Sequence, residues 1–141
     1  MEPSFIVTVG HWAQLGEPAG AIRHQVFVIE QQVPLDLELD EHDAQALHAL
    51  AREGGNAIGT GRLLADGRIG RMAVLPAYRG RGAGAQILKA LIEQARQRGD
   101  ASVTLAAQCH AQAFYRAYGF VAEGPVFMDA GIKHISMRRL L

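Results

Sequence analysis

Six consecutive residues, Arg79-Gly80-Arg81-Gly82-Ala83-Gly84, carry the most specific chemical signal in the chain. Glycines at alternate positions let a backbone turn tightly and approach a ligand without Cβ clashes. A helical pattern follows directly, so its first N–H groups and its dipole favour an anion at this place. Arg79 and Arg81 add positive charge. The chemistry that this arrangement suits is the cradling of a phosphate or pyrophosphate.

Two phosphate readings are weakened by what surrounds the loop. No Lys-Ser/Thr pair follows the glycines, which excludes a Walker loop. Gly80-x-Gly82-x-x-Ala85 formally meets the dinucleotide fingerprint. A nicotinamide site, however, wants a carboxylate after the next strand, where this chain reads Ala106-Ala107-Gln108-Cys109. That fold also usually begins with its fingerprint strand, whereas here 68 residues precede Ile69.

Other reactive side chains fail on spacing. Cys109 and His110 are adjacent on a helical segment, so they point about 100° apart and do not form a nucleophile-base pair. Asp36-x-Glu38-x-Asp40 opens like a calcium loop, but the sixth position is Glu41 rather than Gly and the twelfth is Leu47 rather than Glu. His42 and His48 share strand parity without a third ligand at recognisable spacing, so no metal site is expected.

The elements that must position the loop can be read from period and punctuation. Phe5 to Val9 is a β-branched apolar run ended by Gly10, which predicts a buried strand. Gly16-Glu17-Pro18 predicts a helix start, with Ile22, Val26 and Ile29 at helical spacing and Pro34 as its close. Ala44–Arg52, Ala57–Ala65 and Ile69–Leu75 form a predicted antiparallel meander, with turns at Glu53-Gly54-Gly55-Asn56 and Asp66-Gly67. Gly82–Arg98 carries Leu88, Leu91, Ile92 and Ala95 on one helical face and is stopped by Gly99. A helix of that length makes Ala101–Ala107 a strand parallel to 69–75. A short helix over Cys109–Tyr118 and strands at Phe120–Glu123 and Ile132–Leu140 complete β-α-β-β-β-α-β-α-β-β, an α/β sheet of mixed direction.

Composition bounds the rest. The chain has 141 residues, 14 basic and 14 acidic, and is 49% hydrophobic, which describes one globular domain over 1–141. Such a length buries roughly 68–70% of its unfolded surface, enough for a core without metal or disulfide. A single cysteine suits a reducing compartment, and Met1-Glu2-Pro3 lacks the start of a secretory signal; the expected location is cytoplasmic. No apolar run approaches a membrane span, so no membrane partner is expected. Balanced charge argues against a general nucleic-acid binder. The apolar Ile132–Leu141 segment is a candidate surface for a homodimer.

Longer motifs bring a resemblance. Val74-Leu75-Pro76-Ala77-Tyr78-Arg79-Gly80 and Arg79-x-x-Gly82-x-Gly84 resemble the lead-in and the Arg/Gln-x-x-Gly-x-Gly/Ala loop of the GNAT superfamily of acyltransferases. Gln108-x-x-Ala111-x-x-Phe114-Tyr115-x-x-x-Gly119-Phe120 is similar to its second signature. Phe27-Val28-x-Glu30-Gln31, His48 and Gly124-x-x-Phe127-x-Asp129-x-Gly131-Ile132-x-His134-x-x-Met137 resemble the small bacterial YjcF/ElaA-like branch. Asp129 stands where that branch is expected to have Glu, and Gln108 where many members have Asn. The resemblance covers essentially the whole chain.

It implies the GNAT fold, a mixed and mostly antiparallel sheet whose parallel pair splays apart, and acetyl-CoA as cosubstrate. The pantetheine arm would fill the splay and meet backbone groups of Met72, Ala73 and Val74, with Gln108 beside it. The loop residues Arg79, Gly80, Arg81, Gly82, Ala83 and Gly84 would hold the pyrophosphate. The implied reaction is acetyl transfer to a primary amine, of a small molecule or a peptide, by direct attack in a ternary complex. The resemblance assigns a Val74 N–H to the oxyanion and Tyr115 to the departing thiolate. Some members carry a basic glutamate where Arg68 stands here, so the base is open among Glu30, Asp43, His48, His134 and water. Six carboxylates between Glu30 and Asp43 would border the acceptor and draw in a cation, or be a solvated loop. A coenzyme-A-binding sensor or partner-binding module without efficient catalysis is the alternative function.

Overall fold

The computed structural model describes residues 5–38 and 40–141; Met1-Glu2-Pro3 lies outside them. Strand β1 (Phe5–His11) runs straight into helix α1 (Trp12–Arg23). The helix therefore starts four residues before Gly16, because the Gln14 side chain takes the His11 N–H at 3.3 Å and makes a turn unnecessary. Pro18 sits inside α1 rather than in its first turn. From His24 to Glu30 the helix widens into a π-helical turn, closed by the Gln31 N–H on the Val26 carbonyl at 3.0 Å. Such turns are rare and recur at functional sites. Gln32 then reverses the chain at φ 59°, and Pro34 opens the short helix α2 (Leu35–Glu38).

Strands β2 (Leu47–Glu53), β3 (Asn56–Leu63) and β4 (Arg68–Val74) form the expected meander. Helix α3 (Ala83–Gln97), β5 (Ser102–Gln108), helix α4 (Gln112–Arg116), β6 (Val121–Asp129) and β7 (Ile132–Leu140) follow. Strand β6 extends six residues beyond Glu123, because Gly124-Pro125 is absorbed as an irregularity in its pairing with β7 instead of ending the strand. The sheet order is β1-β2-β3-β4-β5-β7-β6, with β4 and β5 parallel and every other pair antiparallel.

The two faces of the sheet are covered separately. Ile87, Leu88, Leu91 and Ala95 of α3 are fully buried against Ile58, Leu63, Val103 and Met137. On the other face Leu15, Ala19, Ile22 and Val26 pack with Leu50 and Ala73. At ~1.5–3 kcal/mol per large apolar side chain, the α3 face anchors the sheet and fixes the start of α3 at the end of β4.

The parallel pair is short. Only Arg68↔Thr104 and Ile69↔Leu105 are in register, although β4 continues to Val74 and β5 to Gln108. The cause lies in β4. Between Thr60 and Arg62 the β3–β4 register slips, so Arg71 and Met72 face Gly61 together. Arg71 takes φ 51°, the left-handed conformation of a bulge residue. A bulge bends and twists its strand, and β4 leaves β5 just past Ile69.

Candidate active site

The divergence of β4 and β5 opens a cavity of about 590 Å³. Met72, Ala73 and Val74 line one wall, Leu105, Ala106 and Gln108 the other. Leu75 N–H donates to the Ile58 carbonyl at 2.9 Å. Antiparallel pairing alternates, so Ala73, in register with Thr60, also turns its backbone groups toward β3. Val74, one residue between them, turns its N–H and C=O away from β3, where no β5 residue stands in register with it; the C=O accepts from Arg79 Nε at 2.8 Å, which leaves the N–H to the gap. Of the three residues expected to offer backbone, Ala73 thus directs its backbone groups to β3, while Val74 presents its N–H to the cavity.

The 79–84 loop sits at the mouth of the same gap. Gly80 has φ 76° and Gly82 φ 90°, values that favour glycine, and a Cβ at either would meet nothing within 4 Å. Their need is conformational, and the space over the loop is open. Gly82 is the N-cap of α3 and gives it no side-chain cap. The amides of Ala83, Gly84 and Ala85 therefore have no intrahelical acceptor, since the first helical bond is Gln86 N–H to Gly82 O at 3.1 Å. Unclaimed amides at the positive end of a fifteen-residue helix form an anion site.

The two loop arginines already have partners. Arg79 donates from both terminal nitrogens to Glu30, at 2.7 and 2.6 Å, and from Nε to the Val74 carbonyl at 2.8 Å. Arg81 pairs with Glu53 and lies over the rings of Phe5 and Tyr78, 5.2 and 5.8 Å from their centroids. The hydrogen bonds from Arg79 hold the Glu30 carboxyl below the usual carboxylate range. That makes Glu30 a weaker base than a free carboxylate, and its geometry is that of a partner for Arg79. The next residue, Gln31, accepts from Gln108 Nε2 at 3.0 Å. Adjacent residues of one segment thus reach both lips of the gap.

Two other base candidates belong to a different structure. Arg23, only 1% exposed, donates to Glu38 and to both oxygens of Asp43 at 2.7 and 3.0 Å. Arg62 binds Asp40 and Asp43 at 2.8 and 3.1 Å, and Arg71 binds Asp40 at 3.0 Å and the Glu38 carbonyl at 3.2 Å. Burial would raise the Asp43 pKa, but hydrogen bonds and charge from Arg23 and Arg62 outweigh it and hold it low. His48 is buried, its Nε2 donates to the Asp43 carbonyl at 2.9 Å, and burial pushes its pKa down. Neither Asp43 nor His48 lines the cavity.

Four of the six carboxylates expected to draw in a cation are therefore already engaged by arginines. Glu38, Asp40 and Asp43 neutralise Arg23, Arg62 and Arg71, and Glu30 neutralises Arg79. Sequence reasoning missed this because the three arginine partners lie at positions 23, 62 and 71, outside the acidic run. Three internal arginines opposite three carboxylates are a pattern visible only once the strands are paired.

Tyr115, on α4, lines the cavity and is half-buried. Its ring meets Phe114 edge-on at 5.0 Å and Phe120 at 6.0 Å. Burial raises its pKa above the ordinary tyrosine value, so it stays a hydroxyl donor at neutral pH. His134, on β7, lines the cavity beside Asp129, with its Nδ1 2.8 Å from the Ile132 carbonyl. Among the described residues no cluster of three His, Cys, Asp or Glu could hold a metal, and no helix is long and apolar enough to cross a membrane.

Splayed parallel strands, a bulged β4 and an uncapped glycine loop at the helix start together define an acyl-coenzyme-A transferase fold. The profile of the Acetyltransferase (GNAT) domain matches residues 15–141, and the chain belongs to that family. It is 37% identical to the uncharacterized N-acetyltransferase YjcF of Bacillus subtilis, over 84% of this chain and 87% of YjcF. A crystal structure of an acyl-CoA N-acyltransferase from Pseudomonas aeruginosa is similar, with TM-score 0.86, 36% identity and coverage of 96% and 99% of the two chains. Escherichia coli ElaA superposes with TM-score 0.86 at 29% identity, covering 95% of this chain and 99% of ElaA.

Proposed function

We propose that the protein transfers the acetyl group of acetyl-CoA to a primary amine by direct attack within a ternary complex. The single observation that carries this is the Val74 N–H, which β3 does not take up and which faces the gap between β4 and β5, with the uncapped start of α3 following β4. A pyrophosphate on the amides of the 82–85 turn places the pantetheine arm between β4 and β5. There Met72, Val74 and the Oε1 of Gln108, left open by its bond to Gln31, offer hydrogen bonds to the arm's amides. The loop supplies its amides, and Arg79 and Arg81 supply charge as their exposed pairs with Glu30 and Glu53 exchange with the arriving anion.

The thioester carbonyl then lies by Val74. Its N–H donates to the oxygen that becomes negative as the amine attacks, the interaction that lowers such barriers most. When the C–S bond breaks, Tyr115 donates a hydrogen bond to the thiolate. A tyrosine near pKa ~10 is a weaker acid than a thiol near ~8.5, so full transfer is uphill by roughly 2 kcal/mol, and burial of Tyr115 widens that difference. Tyr115 therefore assists by hydrogen bonding and is not indispensable.

Thiol release from acetyl-CoA against a library of amines tests the reading. Amine-dependent release supports it. Acetyl-CoA binding without release for any amine would favour a coenzyme-A-binding sensor, and absence of binding would remove both.

A further inference from the structure

Three candidate bases are committed elsewhere: Glu30 to Arg79, Asp43 to Arg23 and Arg62, and His48 to the buried cluster. His134 is differently placed. It is 9% exposed, lines the cavity, and stands in register with Gln108 at the open end of β5, three residues past the last β4–β5 pair. Its Nδ1 lies 2.8 Å from the Ile132 carbonyl, an oxygen that only accepts. Nδ1 must then carry the proton, and in the neutral ring the lone pair is on Nε2. Phe127 stacks over the ring at 5.8 Å and 24°. With one face covered and one nitrogen tied, the Nε2 edge is left, and it has no hydrogen-bond partner among the described residues.

We infer that His134 is the catalytic base that takes the acceptor's proton through Nε2, with Asp129 at the same cavity drawing in a cationic primary amine. The inference rests on the reading given under Proposed function. The ammonium first gives one proton to solvent; the neutral amine's lone pair then bonds to the thioester carbon, and the second proton, shed by the adduct's nitrogen, passes to Nε2. Collapse of the adduct breaks the C–S bond, the thiolate leaves beside Tyr115, and the imidazolium returns its proton to solvent. Amide, coenzyme A and neutral His134 result. A fixed Nδ1–H tautomer suits this role because no ring flip is needed before each turnover.

The ionisable groups sharing the cavity with His134 are Asp129 from β6, His110 after β5, Tyr115 from α4, and the two engaged pairs Glu30–Arg79 and Glu38–Arg71. His110 is exposed and is the other imidazole at the cavity. The pairs carry no net charge, so Asp129 is the carboxylate left to favour a cation.

The test is the pH dependence of kcat/KM with phenethylamine and spermidine as acceptors, measured for wild type, His134→Gln, His134→Ala and His110→Gln. The wild type should lose activity on acidification, because protonation of Nε2 removes the base. His134→Gln should lower kcat about 100-fold or more, abolish that limb and leave acetyl-CoA affinity within about two-fold. Added imidazole should restore part of the activity of His134→Ala, and His110→Gln should keep the limb. A wild-type profile without such a limb, or a His134→Gln profile that keeps it, would overturn the inference.

A readout independent of turnover, and of whether the variants fold, is the ¹⁵N spectrum of wild-type imidazoles. It should show His134 as the neutral Nδ1–H tautomer, with its Nε2 resonance moved by either amine; an Nε2–H tautomer would refute the assignment. Wild type that binds acetyl-CoA but releases no thiol with any amine would instead defeat the transferase reading itself.

Discussion

Two groups of arginines are held in opposite ways. Arg23, Arg62 and Arg71 meet three carboxylates in a cluster whose Arg23, Glu38 and Asp43 side chains are at most 7% exposed. Arg79 and Arg81 meet single carboxylates in the open, with Arg79 and Glu30 about 40% exposed. Breaking a buried pair leaves a charge that water cannot reach, whereas an exposed pair exchanges with solvent or with an arriving anion at little cost. The first group is therefore scaffold. It ties α1, α2 and the bulge of β4 together and so holds open the gap. The second group is part of a loop that a pyrophosphate can share.

Breaking the buried cluster should have the largest effect. Arg23→Ala strips Glu38 of its nearest cation and leaves Asp43 with Arg62 alone, and should cost about 3–5 kcal/mol, read by urea unfolding; a loss below about 1 kcal/mol would mean that the cluster is solvated. Acid should act on the same place. The folded pKa values of His48, Asp40 and Asp43 are all depressed. Each contributes stability that is present above its unfolded value and is lost as pH falls through the folded one. Stability should therefore decline below about pH 6.5 through His48 and more steeply below about 4 through the carboxylates, as unfolding curves at stepped pH would show.

At the loop the balance reverses, and ligand binding should suffer more than folding. Gly82→Ala forces a side chain into φ 90° at about 1–2 kcal/mol, and should weaken acetyl-CoA by about ten-fold or more by calorimetry. Tyr115→Phe should lower kcat roughly ten-fold or more, the worth of one hydrogen bond to a charged group, with coenzyme affinity unchanged. Unaltered turnover would remove Tyr115 from the reaction. The smallest effect belongs to the exposed pair: Glu30→Gln should change stability by less than about 1 kcal/mol and leave acetyl-CoA affinity equal or improved, since it frees Arg79. A large loss of stability would place that pair with the buried cluster.

What the sequence disclosed follows the same division. The meander, α3 and the glycine loop are local patterns of period and turn chemistry, and each lies within a few residues of its expected place. The match of the loop and Tyr115 motifs carried the family. Contacts between distant segments were not legible. Nothing near Arg71 marks it as a bulge residue, because an arginine at φ 51° reads as ordinary strand until β3 is laid beside it. Likewise the acidic run reads as a surface until Arg23, Arg62 and Arg71 are brought to it. His134 was one histidine among several, and only its bond to Ile132 O and its place at the cavity separate it from His48.

The central claim is that the amides at the start of α3 and the Val74 N–H form one continuous binding track for an acyl-coenzyme A. A crystal structure with acetyl-CoA tests it most directly. It should show the pyrophosphate on the 82–85 turn and the thioester oxygen within hydrogen-bonding distance of Val74 N. Empty amides, or β4 and β5 closed by regular pairing beyond Ile69 and Leu105, would contradict it.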